Sequence, residues 1–439
     1  MEMIARLERL PVGRFHYKLL IATGLGWMFD AMDTGLIAFI LPALAKAWGL
    51  TPLQMGLIGS MGLVGMAAGA VVGGFAADRF GRKKIFSVTL LIYSLATGLC
   101  GLAWNLESLL LFRFFVGFGL GGELPVAVTL MTEYAPPASR GRFIVLLESF
   151  WGLGWLAAAL IGYWFVPYYG WQWAFFIGAL PALYVLYIRL AIPESVRYLM
   201  TRGQTEQAEK IVSQLEQAAG IKCMPSGPPI AKARAEKVTF GELWRGGFAK
   251  RTAMLWLLWF GIVYSYYGIF TWLPSLMVGQ GYTVLKSFES VLIMTLAQLP
   301  GYFSAAYLVE RVGRRGTLAA YLSLSALCAY LFGQGQSAEA LVFWGSWMSF
   351  FNLGAWGVLY TYTPELYPTR IRAFGSGWAA AIGRSGGVLA PMIVGMLVGT
   401  EGGFVRTFAM FTIVMLLMAL LVSVTGEETK GKSLNSINE

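Results

Sequence analysis

The chain has 439 residues, of which 57% are hydrophobic and only 13% charged, too apolar a composition for a soluble protein. Its formal net charge of +10 does not require nucleic acid, because basic loops of a membrane protein face an anionic lipid leaflet. Cys100, Cys223 and Cys328 form no CxxC pair and the sole histidine, His16, precedes the first long apolar segment. No disulfide framework, metal site or histidine proton relay within the membrane is therefore expected.

Residues 1–18 carry Arg6, Arg9, Arg14 and Lys18 beside Ile4, Leu7 and Leu10, the spacing of a short amphipathic anchor on the inner membrane surface. A full-length span follows this charged stretch, so it does not read as a cleaved signal peptide. Twelve segments are then long enough to cross a bilayer, at about 19–45, 54–77, 84–104, 107–131, 143–166, 171–192, 252–278, 287–309, 316–335, 338–362, 373–397 and 402–425. They lack the alternation of membrane strands, so they are helices. With both termini cytoplasmic, 28 of the 33 basic residues fall inside. Lys46, Lys286 and Arg406 fall outside, and Arg113 and Arg384 within helices.

The first segment holds Trp27-Met28-Phe29-Asp30-Ala31-Met32-Asp33. A charge at the bilayer midplane costs roughly 2.5–3.5 kcal/mol on insertion scales. Asp30 and Asp33, three apart, share a helical face and demand a polar interior around them. Two carboxylates so close in a low-dielectric site do not readily both ionise, which suits a proton-coupling pair.

After the second segment comes Gly74-Phe75-Ala76-Ala77-Asp78-Arg79-Phe80-Gly81-Arg82-Lys83-Lys84, and after the fourth Glu133-Tyr134-Ala135-Pro136-Pro137-Ala138-Ser139-Arg140-Gly141-Arg142. Both recur 232 residues later, as Glu310, Arg311, Gly313, Arg314 and Arg315, and as Glu365, Pro368 and Arg372; Leu41-Pro42 recurs as Leu273-Pro274 at the same offset. Separate matches at one offset imply an internal duplication. The expected architecture is an all-α integral membrane protein of twelve transmembrane helices in two six-helix parallel repeats, with a midplane site at their interface. The halves are 1–192 and 252–439, joined by a cytoplasmic linker, 193–251. In the linker, 204–219 reads as an amphipathic helix and 224–229 as irregular.

Four acids and two arginines lie within the helices. Besides Asp30 and Asp33 these are Glu123 near the middle of the fourth, Glu148 in the inner part of the fifth, Arg113 in the outer half of the fourth and Arg384 near the middle of the eleventh. Arg113 is expected to pair with an acid, Asp30 or Asp33, and Glu148 to serve as a charge partner too, since buried charges are usually paired. Glu123 is either a further proton site or a structural contact. The glycines around it (Gly117 to Gly122) suit close helix packing. Arg384 presents a planar fork suited to a carboxylate. Tyr264, Tyr267, Asn352 and Trp356 lie at matching depth, and Trp155 lies in the fifth segment. No GxxxxGK[ST] motif occurs, so ATP hydrolysis does not drive the chain. No nucleophile–base pair or cofactor motif appears, so it is not an enzyme and needs no cofactor.

The duplicated loops resemble the signature of the major facilitator superfamily over the whole chain. Pro193-Glu194-Ser195-Val196-Arg197-Tyr198-Leu199 and Glu427-Glu428-Thr429-Lys430-Gly431 resemble sugar-porter and organic-ion-transporter signatures. By that resemblance Asp78, Arg79, Arg82, Glu133, Arg140, Glu310, Arg311, Arg314, Glu365 and Arg372 form cytoplasmic latches that break and re-form during alternating access. Ala381-Ile382-Gly383-Arg384-Ser385-Gly386-Gly387 is similar to the segment of organic-anion transporters whose arginine faces the substrate, and Ser265-Tyr266-Tyr267-Gly268 to their seventh helix. Asp30-Ala31-Met32-Asp33 resembles the acid pair of aromatic-acid/proton symporters, with Ala31 where glycine is usual. Glu148-Ser149-Phe150-Trp151, Trp155-Leu156-Ala157-Ala158-Ala159, Met294-Thr295-Leu296-Ala297-Gln298-Leu299-Pro300-Gly301-Tyr302 and Phe350-Phe351-Asn352-Leu353-Gly354-Ala355-Trp356-Gly357 resemble the bacterial niacin transporter family. The resemblance implies import of nicotinate with a proton by a monomer in the bacterial inner membrane. Arg384 would hold the carboxylate, Tyr264, Tyr267, Trp356 and Trp155 the ring, and Asn352 the ring nitrogen, with Asp30, Asp33 and Glu123 handling the proton. Uptake of benzoate-type acids or broader organic anions, and a receptor that binds without translocating, are the alternatives.

Overall fold

The computed structural model describes residues 3–136, 139–184, 187, 192–221, 239–368 and 370–430, and every regular element among them is a helix. A short α1 (Met3–Glu8) precedes α2 (Arg14–Trp48), α3 (Pro52–Phe80), α4 (Arg82–Cys100), α5 (Leu106–Tyr134), α6 (Arg140–Tyr169) and α7 (Trp171–Gly178). Then come α8 (Val196–Thr201), α9 (Thr205–Ala218) and a 3-10 turn (Phe240–Trp244). The chain continues through α10 (Phe248–Gly279), α11 (Val284–Leu296), α12 (Gln298–Arg311), α13 (Arg314–Gly333), α14 (Ala338–Glu365), α15 (Arg372–Val398) and α16 (Gly403–Thr425). Nine spans among the described residues are long and apolar enough to cross a membrane. Two further helices, α5 and α14, have comparable lengths of 29 and 28 residues. The expected sixth span opens as α7, and its end lies partly outside the described residues, as does linker stretch 224–229. The eighth is interrupted at Ala297 between α11 and α12, where Pro300 cannot donate a helical hydrogen bond.

Helix starts follow local chemistry. Before α5, the Asn105 side chain accepts the Ser108 N–H at 2.8 Å while the Ser108 hydroxyl oxygen accepts the Asn105 N–H at 3.2 Å, satisfying two orphan donors reciprocally. Ser337 caps α14 and Thr283 caps α11 through their hydroxyl oxygens.

The duplication is visible in the capping of α4 and α13. Gly81 and Gly313 precede them with φ of 103° and 108°, a region L side chains avoid, and a Cβ at either would strike the carboxylate of Glu194 or Glu428. Glu194 accepts the N–H groups of Arg82 and Lys83 at 3.0 and 3.1 Å; Glu428 accepts those of Arg314 and Arg315 at 2.9 and 3.1 Å. An anion at a helix N-terminus meets both unsatisfied donors and the positive dipole end. Ser195 donates to Glu133, and Thr429 donates to Glu365 at 2.5 Å. The Tyr134 and Tyr362 hydroxyls donate to the carbonyls of Glu194 and Glu427, each at 2.7 Å.

Around these caps Arg314 reaches Glu365 at 3.1 Å and Glu310 at 3.4 Å. Arg372 Nε donates to the Tyr367 carbonyl. The carbonyls of Arg79 and Arg311 accept from Arg202 and Lys430. The side chains of Asp78 and Arg140 lie outside the described residues.

Glu428 follows the last span. Burial alone would raise its pKa, yet backbone donors at Lys430, Arg314, Arg315 and Thr429 hold the carboxyl below the usual carboxylate range. With the folded value the lower one, this stabilisation is complete above the ordinary glutamate pKa of ~4.3 and fades as pH falls through the folded value. Glu428→Gln is therefore expected to lower stability by about 1 kcal/mol at neutral pH, and thermal unfolding should show that gap closing in acid. A gap of constant size across that range contradicts the charge-capping role.

The N-terminal stretch departs from the expected lipid anchor. Arg6 is 2% exposed, and Met3, Leu7 and Leu10 are buried as well. Its guanidinium pairs with Glu216 at 2.7 Å and Glu209 at 2.5 Å, both on the amphipathic linker helix α9. A desolvated cation needs carboxylate partners, and the linker supplies them; α1 docks on protein.

By packing, the chain forms two compact units. One comprises 1–33, 64–154 and 175–236; the other comprises 34–63, 155–174 and 237–439. In the first, α3 and α5 meet backbone to backbone, where a Cβ on Gly69 would strike the Phe118 carbonyl and one on Gly121 that of Met66, the close approach small residues permit. In the second, the end of α2 and the start of α3 pack on the later helices. The Phe39 and Phe288 rings are 5.3 Å apart, and the Ser60 hydroxyl donates to the Val388 carbonyl at 2.6 Å.

Candidate functional site

Each unit holds one concentration of polar groups at the middle of its helices. In the first, Asp33 is fully buried and Arg113 only 3% exposed. Arg113 Nη1 donates to Asp33 Oδ2 at 3.3 Å, and the Thr97 hydroxyl donates to Oδ1 at 2.5 Å. Asp30, a turn earlier, goes elsewhere. Its carboxyl has Glu123 of α5 and Tyr93 of α4 as neighbours as well as Asp33. Residues three apart diverge by about 60° around a helix, enough to send one toward Arg113 and the other toward Glu123.

Glu148 is not a charge partner here. Among the described residues no Lys or Arg lies within ion-pair distance of it. Its carboxyl lies beside the Trp27 indole, and the rings of Trp27 and Trp151 are 5.0 Å apart.

In the second unit Arg384 sits at the middle of α15, half-buried, with the Tyr267 and Tyr360 rings as its polar neighbours. Among the described residues no carboxylate is within ion-pair distance of it. Aromatic rings gather beside it. Trp356 lies 6.4 Å from Tyr267, 5.1 Å from Tyr266 and 6.0 Å from Tyr360. Trp259 lies 4.9 Å from Tyr360, and Trp155 lies 5.8 Å from Tyr266 and 6.0 Å from Phe270. Gly383 and Gly387 of α15 lie against Trp259 and Tyr267, bringing the arginine's helix close to the rings.

Two expected members do not join this group. Tyr264 turns to α16, its hydroxyl 3.0 Å from Met410 Sδ and its ring 5.9 Å from Phe411. Asn352 is 2% exposed, and its amide donates to the Ser265 hydroxyl at 3.4 Å and approaches Met415 Sδ at 3.7 Å. A buried carboxamide takes the nearest polar partner, which for Asn352 lies on α10.

Sequence reasoning missed Tyr93, Thr97, Trp259, Tyr360 and Gln298. Tyr93 and Thr97, four apart in one apolar span, share a face, and that pattern was the available signal. Gln298 opens α12 at the helix interruption, fully buried, and neither of its carboxamide atoms has a partner among the described residues.

Comparison with known proteins identifies the family and the fold. Residues 26–439 match the model of the family described as sugar (and other) transporter. The chain is 58% identical to the niacin transporter NiaP of Acinetobacter baylyi, covering 100% of both chains. It is 48% identical to the putative niacin/nicotinamide transporter NiaP of Bacillus subtilis, over 94% of this chain and 96% of that one. Among solved structures, the xylose transporter XylE of E. coli in a partially occluded inward open conformation superposes with a TM-score of 0.76 at 18% identity, covering 96% of this chain and 100% of the other. The fold is accordingly the twelve-helix, all-α integral membrane fold of major facilitators, in two six-helix repeats.

Proposed function

The chain belongs to the sugar (and other) transporter family of the major facilitator superfamily, and from that premise we propose that this multi-pass membrane transporter imports nicotinate together with a proton. The reading rests chiefly on one observation: Arg384 stands mid-helix, with no carboxylate in reach among the described residues, beside a group of aromatic rings. Nicotinate is one carboxylate on one flat ring. A guanidinium fork binds a carboxylate through two parallel hydrogen bonds, and Tyr267, Trp356 and Trp155 offer faces and edges to an aromatic ring. Two full-length relatives named for niacin support the choice of substrate.

The acids Asp30, Asp33 and Glu123 supply the proton side. An anion entering with one proton carries no net charge across the bilayer, which removes the membrane-potential cost of moving it. The capped loops at Arg82, Glu133, Arg314 and Glu365, with Asp78, Arg79, Arg140, Glu310, Arg311 and Arg372, act as latches of alternating access. The protein works as a monomer in the bacterial inner membrane with both termini cytoplasmic, the orientation that puts most basic loops inside.

Labelled nicotinate uptake into proteoliposomes, with unlabelled competitors, tests the substrate. Nicotinate is expected to compete best, benzoate less well and nicotinamide, which has no charge for Arg384, least. Uptake blocked equally by nicotinamide and nicotinate contradicts the carboxylate reading.

A further inference from the structure

We propose that His16, the chain's one histidine, is a pH-sensitive cap on the joint between α1 and α2. While neutral it holds the joint. Protonated from the solution at the N-terminus, it lets the joint loosen, and transport slows. That solution is the cytoplasm in the orientation proposed above, and the cap itself does not depend on that assignment. Gly13 opens α2, its carbonyl accepting the His16 and Tyr17 N–H groups at 3.0 and 3.4 Å. Glycine has no side chain to cap with, and His16 reaches back instead, its Nδ1 accepting the Gly13 N–H at 3.2 Å. This is the position from which glutamate or glutamine completes a capping box. An Nδ1 that accepts carries no hydrogen, so the neutral ring has its hydrogen on Nε2.

A proton on Nδ1 undoes this arrangement. The atom becomes a donor facing the Gly13 donor, and the ring's charge stands at the positive end of the helix dipole. Among the described residues no acid waits to receive that charge. His16 is 2% exposed, and its Nε2 is buried without a hydrogen-bond partner among them. Phe143 of α6 lies 6.1 Å from the ring and Phe15 5.5 Å. From α5, Tyr134 packs on Phe15 at 5.3 Å, its hydroxyl given to the Glu194 carbonyl. Glu133 already accepts from Ser195, and Glu194 from the start of α4. Arg14 and Lys18 of α2, and Glu8 and Arg9 of α1, are exposed, while the side chains of Arg140 and Arg142 lie outside the described residues. Water reaches the joint itself, where Pro11 and Val12 are exposed. The joint matters because Arg6 ties α1 to linker helix α9. The linker and α2, which carries Asp30 and Asp33, move together only while α2 starts firmly at Gly13.

The test uses full-length protein purified through a histidine-free tag, so that nitrogen-15 labelled histidine reports His16 alone. Magnetic resonance spectra are expected to show the Nε2–H tautomer, converting to imidazolium between about pH 7.5 and about pH 5. An Nδ1–H tautomer, or a ring that stays neutral throughout that range, overturns the proposal. Transport is read as exchange of labelled nicotinate in proteoliposomes at equal pH on both sides, each preparation compared with itself. His16→Gln keeps an acceptor at the same position and removes the titration, while acids elsewhere titrate alike in both proteins. Between about pH 7.5 and about pH 5, wild-type exchange is expected to fall about fivefold further than that of the variant. Parallel pH profiles overturn the proposal. The spectra need neither a substitution nor a cargo, so they decide the cap even where the variant does not fold or nicotinate is not the substrate.

Discussion

Arg384→Ala is expected to lower nicotinate affinity by roughly a hundredfold or more, the scale of losing a hydrogen-bonded charge partner in a desolvated site. The guanidinium is the one cationic group described beside the aromatic cluster of α10, α14 and α15. Arg384→Lys should recover only part of the loss, because an ammonium keeps the charge and loses the planar fork. Calorimetry on purified protein reads both. Near wild-type affinity in the alanine variant rules out the carboxylate role, whereas loss of binding with normal thermal stability supports it.

The second large effect is on folding. Removing Arg113 leaves Asp33 fully buried with only the Thr97 hydroxyl to support its charge. Breaking a buried pair from one side costs about 3–5 kcal/mol. Arg113→Ala should therefore lower the thermal unfolding temperature sharply, and Asp33→Asn added to it should restore much of the loss by removing the uncompensated charge. The recovery is the informative part. If the double variant is less stable than Arg113→Ala alone, the two residues are not an energetic pair.

Depth and repetition were readable from the chain because helix rise is constant. Counting residues placed Asp30, Glu123, Arg384, Trp356 and Asn352 near the middle of their spans, and the 232-residue offset anticipated the twin caps at Gly81 and Gly313. Direction around the helix was harder to read. Helices such as α2 and α10 are apolar on nearly every side, so no polar stripe fixes their rotation. Tyr264 was accordingly placed with Tyr267 although its hydroxyl lies by Met410. Asn352 turned to Ser265 for the same reason. At Arg6, an amphipathic pattern fits lipid and protein equally, and only the acids of α9 distinguish them.

The most direct test of nicotinate–proton symport is accumulation in proteoliposomes under an imposed pH difference, with membrane potential clamped at several values. The account predicts that nicotinate concentrates inside when the outside is more acidic, and that clamping the potential at zero or at either sign leaves the level unchanged. Accumulation that follows the potential and ignores the pH difference contradicts it.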